Sequence, residues 1–93
     1  PESLYDRAEQ ARLVLRNAEA LQLYDQVIAA APGTPWAARS QLRIGEIALE
    51  RLRDLPRART AFRACLEPPL SNHLTEVELQ AVRARLKEID PKP

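Results

Sequence analysis

Apolar and small residues recur at helical spacing in five separate stretches of the chain, each opened or closed by residues that start or stop helices. Leu4, Ala8, Ala11 and Leu15 form the first stripe, behind Ser3 as a candidate N-cap. Ala20, Leu21, Tyr24, Val27, Ile28 and Ala31 form the second; Asn17 can cap it, and Pro32-Gly33 ends it. Thr34 then caps a third helix with Pro35 at its first position, where the missing N–H would be unpaired anyway.

The third helix carries two stripes, Trp36, Ser40, Ile44, Ile47 and Ala48 on one side and Leu42 and Leu49 on another. A helix with two apolar faces has neighbours on both, so it is expected to be central. Asp54 caps a fourth helix built on Ala58, Ala61, Phe62, Cys65 and Leu66, which Pro68-Pro69 stops. Thr75 and Glu78 have capping-box spacing, Leu74 and Leu79 can form a hydrophobic staple, and Leu79, Val82, Leu86 and Ile89 complete a fifth helix before Asp90-Pro91. The pattern predicts an all-α fold of five helices with short joins. Its 4% aromatic content and abundant alanine suit closely packed helices.

The second and fourth stripes are copies of one another. A shift of 38 residues places Ala20 on Ala58, Tyr24 on Phe62, Val27 on Cys65 and Ile28 on Leu66. A shift of 37 places Ala8 on Gly45, Ala11 on Ala48 and Pro32 on Pro69. Helix pairs that recur at this period are the signature of α-solenoids.

The order of cues resembles the tetratricopeptide repeat: a small residue in the first helix, alanine and then an aromatic four residues later in the second, proline at the end. Ala8, Ala20, Tyr24 and Pro32 carry it in one unit, and Gly45, Ala58, Phe62 and Pro69 in the next. Gln41 stands where that family often has Trp, Ala48 where it often has Tyr, and the joint at Leu52-Arg53 has one residue more than the family pattern. The resemblance implies a right-handed α-solenoid in a single domain over 1–93, with repeat one at about 2–33, repeat two at about 34–70 and a capping helix at about 75–90. The joint APGTPWAARSQLRIGE at 31–46 also resembles joints of bacterial cell-envelope repeat proteins, of the Tol-Pal coordinator and outer-membrane assembly lipoprotein type. That flavour favours a periplasmic or envelope location and leaves the cytoplasm open. The chain starts at Pro1-Glu2 without Met and reads as a piece of a longer protein.

Charge separates the function classes. Net charge is +1, so no global field draws in nucleic acid or an anionic membrane. Residues 39–63 nevertheless hold seven Arg against three acids. Interspersed acids, and the lack of aromatics that could stack bases, make this series a solvated face, with a nucleic-acid contact as the alternative. No apolar run is long enough to span a membrane.

No nucleophile, base or carboxylate pair converges, so neither enzymatic activity nor a cofactor is expected. Cys65 reads as a core residue and His73 as an exposed or capping one; together they cannot close a metal site. Trp36 either fills the gap between units or anchors a partner.

What remains is binding. In tetratricopeptide proteins the first helix of each unit lines the concave surface, and by that resemblance Tyr5, Glu9, Arg12, Arg39, Leu42, Arg43, Glu46 and Leu49 face a partner. Tyr5 and Glu9 stand where the carboxylate clamp of chaperone-binding members needs Lys and Asn, so that clamp is not expected. Arg39 and Arg43 lie one turn apart, and their like charges invite an acidic or C-terminal carboxylate partner. The expected function is a non-enzymatic scaffold that holds a partner peptide or helix in a shallow groove, with self-association as the alternative.

Overall fold

A computed structural model describes residues 2–90. These form five α-helices and no strand: α1 (Glu2–Leu13), α2 (Asn17–Ala30), α3 (Pro35–Ile47), α4 (Leu55–Cys65) and α5 (Glu76–Ile89). Each helix packs on the next, and α3 touches α1, α2 and α4, the central position its two stripes predicted.

Three of the predicted starts are built as read. The Thr34 hydroxyl accepts from the Ala37 N–H at 3.2 Å and donates to the Ala31 carbonyl at 2.6 Å, so it opens α3 while holding the end of α2. Asp54 accepts from the Arg57 N–H at 3.3 Å. Thr75 and Glu78 form a complete capping box, with bonds of 2.9 and 3.1 Å. Two starts differ. Ser3 lies inside α1, and Arg16 occupies the cap position of α2 without a side-chain bond. Asn17 is instead the first residue of α2, and its amide oxygen accepts from Arg51 Nη1 at 3.1 Å.

After Ile47, α3 widens into a π-helical turn over Ala48–Leu52, which Arg53 ends in the left-handed region at φ 54°.

The two faces of α3 divide the core. Ile44 and Ile47 join Ala8, Ala20, Leu21 and Tyr24 of the first unit. Ala38, Ala48 and Leu49 join Ala58, Phe62 and Cys65 of α4, together with Leu74, Val82 and Ile89. Ala48 therefore packs with Leu49 in the second cluster and not with Ile44 and Ile47. Tyr24 and Phe62 are the largest fully buried side chains, and burying one such ring stabilises by roughly 1.5–3 kcal/mol. Gly45 packs against Phe62 with no space for a Cβ.

The joints are tied together. The His73 Nε2–H donates to the Gly33 carbonyl at 3.0 Å, so this half-buried histidine links the loop before α5 to the turn before α3; it is not an exposed residue. Arg59 grips Asp90 through two bonds of 2.7 and 3.0 Å and fastens the end of α5 to α4.

Candidate functional site

Glu9, on α1, organises the surface where α1 meets α3. Its Oε1 accepts from the Tyr24 hydroxyl and from Arg43 Nε at 3.1 Å, and its Oε2 accepts from Arg12 Nη2 at 2.8 Å. Arg43 then reaches Glu46 Oε1 at 3.1 Å, one turn along α3. Partial burial alone would raise the Glu9 pKa, but the bonds from Arg12 and Tyr24 and the charge of Arg43 outweigh it and hold the carboxyl below its ordinary value. Burial, reinforced by Glu9, pushes the Tyr24 hydroxyl the other way, so it stays a neutral donor.

Tyr5 completes this surface. Its ring lies 5.9 Å from Tyr24 and 5.4 Å from Trp36, tilted by 60° and 51°, within the range of favourable aromatic pairs. Half-buried Trp36 thus links α3 to α1 through its contact with Tyr5.

Beside the network, Arg39, Leu42, Arg43 and Glu46 line a cavity of about 200 Å³. Its far wall is α5, through Glu78 and Ala81. Arg39 donates to Glu78 Oε2, while Glu78 Oε1 caps α5. One carboxylate therefore starts α5 and anchors it over α3.

Tyr5, Glu9, Arg12, Arg43 and Glu46 are thus brought into one network, and Arg39 and Leu42 join it through the cavity. Leu49 is not on this surface. It is 2% exposed and packed in the second core cluster with Ala58, Phe62 and Cys65 of α4. The expected like-charge tension between Arg39 and Arg43 is also relieved within the chain, by Glu78 for the first and by Glu9 and Glu46 for the second.

Glu78 and Ala81 were missed in the sequence. They sit three residues apart on one face of α5, a spacing that could have paired them, but nothing local points from residue 78 to residue 39.

The rest of the Arg series spreads over other faces. Arg57 pairs with Asp25 at 2.8 Å at a cleft of about 610 Å³ between α2 and α4, and Arg59 and Arg63 both reach Asp90. Cys65 is fully buried, and burial, with Glu46 and Glu78 adding to it, pushes its thiol up to about 12. No cluster of metal-ligating side chains occurs among the described residues, and none of their helices is long and apolar enough to cross a membrane.

Compared with known proteins, the chain matches no family model and is significantly similar to no curated protein and no solved structure.

Proposed function

We propose that this chain is a tetratricopeptide-type interaction module that holds a partner peptide or helix against the surface formed by α1, α3 and α5. The two units are read as turns of a right-handed solenoid, with α5 as the cap. The observation that carries the reading is the Arg43–Glu9 pair at 3.1 Å, which joins the first helices of both units into one mixed-charge surface beside the Arg39–Leu42 cavity. Leu42 and Tyr5 offer apolar contact. The carboxylates of Glu9, Glu46 and Glu78 and the three arginines they hold set polarity and orientation.

A partner carboxylate must exchange with Glu78 or Glu46 to reach Arg39 or Arg43. That competition favours partners presenting both charge signs over plainly acidic ones.

The nucleic-acid alternative is less well supported. Five of the seven arginines in 39–63, namely Arg39, Arg43, Arg57, Arg59 and Arg63, are tied to carboxylates on several faces, so they do not present one phosphate-binding stripe. The joint's resemblance to bacterial envelope repeat proteins suggests where to seek the partner.

The reading is tested by comparing captured partners for Arg39→Gln and Arg57→Gln. Loss of a partner with the first and retention with the second is expected. Equal capture by both removes the groove assignment, and self-association of the unmodified chain by light scattering would move the reading to an oligomerisation module.

A further inference from the structure

Away from the groove, the end of α1 and the turn after it expose three consecutive aliphatic side chains: Leu13 at 67%, Val14 at 64% and Leu15 at 67%. None contributes to a core cluster. Leu15 is also held in the left-handed region at φ 63°, where glycine or asparagine would sit more easily than leucine. The second unit repeats the device 38 residues later. Arg53 is left-handed where Leu15 is, and Leu52, 45% exposed, stands where Val14 does.

Arg51 brings the two turns to one edge of the molecule. Its Nη1 donates to the Arg12 carbonyl at 2.9 Å and to the Asn17 amide oxygen at 3.1 Å. Arg53 Nη1 donates to the Leu49 carbonyl at 3.2 Å. These are neutral acceptors, so within 39–63 Arg51 and Arg53 are the arginines whose charge no carboxylate among the described residues offsets. Arg16 adds a third cation, loosely paired with Glu19 at 3.8 Å. The nearby acids are committed elsewhere, Glu50 to Arg85 and Asp54 to the cap of α4.

We propose that this edge docks onto an anionic lipid surface, with Leu13, Val14, Leu15 and Leu52 entering the boundary between headgroups and acyl chains and Arg51 and Arg53 meeting lipid phosphates. Protruding aliphatic side chains flanked by uncompensated cations have the composition of an interfacial membrane contact. A second copy fits less well. Four side chains fall short of the roughly 800 Å² per partner of a stable interface, and a two-fold contact through this edge would bring two sets of uncompensated Arg51 and Arg53 into one interface. The docking is peripheral and requires no spanning helix.

The test is co-sedimentation of the 93-residue chain with vesicles of pure phosphatidylcholine and of equimolar phosphatidylcholine and phosphatidylglycerol. Expected is binding to the anionic vesicles that weakens with salt, falls about tenfold in Leu13→Ser/Leu15→Ser, and falls about tenfold in Arg51→Gln/Arg53→Gln, with circular dichroism unchanged in both. Three results would each overturn the proposal: no preference of the parent chain for anionic vesicles, full binding by the leucine variant, or a vesicle-free dimer by light scattering that the leucine variant abolishes.

Discussion

Phe62 stands so close to the backbone of Gly45 that a Cβ on Gly45 would lie 2.5 Å from Phe62 Cε1 and 2.7 Å from Cδ1. Glycine in mid-helix ordinarily weakens a helix by about 1 kcal/mol relative to alanine, so its use here is explained by the approach of α3 to α4. Gly45→Ala is therefore expected to destabilise, the overpacking of about 1–3 kcal/mol exceeding the propensity gain. Denaturant melts decide it; a variant more stable than the parent would mean that the ring has room to move.

That contact was legible in the sequence, because the resemblance picks out Gly45 and Phe62 as a small residue and an aromatic that approach closely. So were Thr34, Asp54 and Thr75, whose capping depends on residues three positions away. What was not legible depends on residues distant in sequence. Asn17 lies inside α2, and its amide oxygen accepts from Arg51, 34 residues away. Leu49 was read as groove surface, but it packs against α4 and α5 residues of the second core cluster, contacts that the helical pattern of α3 alone does not show. The partner of Arg39 lies 39 residues away on α5, beyond any helical spacing rule.

Tyr24 is anchored both by burial and by its bond to Glu9. Tyr24→Phe keeps the ring and removes the donor, at an expected cost of about 1.5–3 kcal/mol for a hydrogen bond to a charged group. The Glu9 carboxyl, losing one of the bonds that hold it down, should titrate at higher pH. Carbon-detected NMR titration reads this directly, and an unmoved Glu9 would show that Arg12 and Arg43 hold it unaided.

Acid should loosen α5. Burial works to raise the Glu78 pKa, yet the bonds from Thr75 and Arg39 bring it below the ordinary value of 4.5. A carboxyl lowered in the folded state contributes stability that is complete above its unfolded pKa and lost as pH falls through its folded one. Stability is thus expected to decline below about pH 4.5, and Glu78→Gln, which keeps the capping geometry, should flatten that decline. Thermal melts across an acid series check it; identical slopes for the two proteins would remove Glu78 from the linkage.

Ser40 is fully buried in α3, and its hydroxyl has no hydrogen-bond partner among the described residues. Ser40→Ala removes an unsatisfied polar group and improves helix propensity, so a gain of about 1 kcal/mol is expected. A loss of stability in urea melts would mean that the hydroxyl bonds back to the helix carbonyls.

The most direct test of the groove is amide shift mapping with peptides selected from a displayed library for binding to this chain. The account predicts perturbations centred on Tyr5, Glu9, Arg39, Leu42, Arg43 and Glu46 of α1 and α3, extending to Glu78 and Ala81 of α5, and their loss in Arg39→Gln. Perturbations centred instead on Asp25, Arg57 and Thr60, in the cleft between α2 and α4, would contradict it.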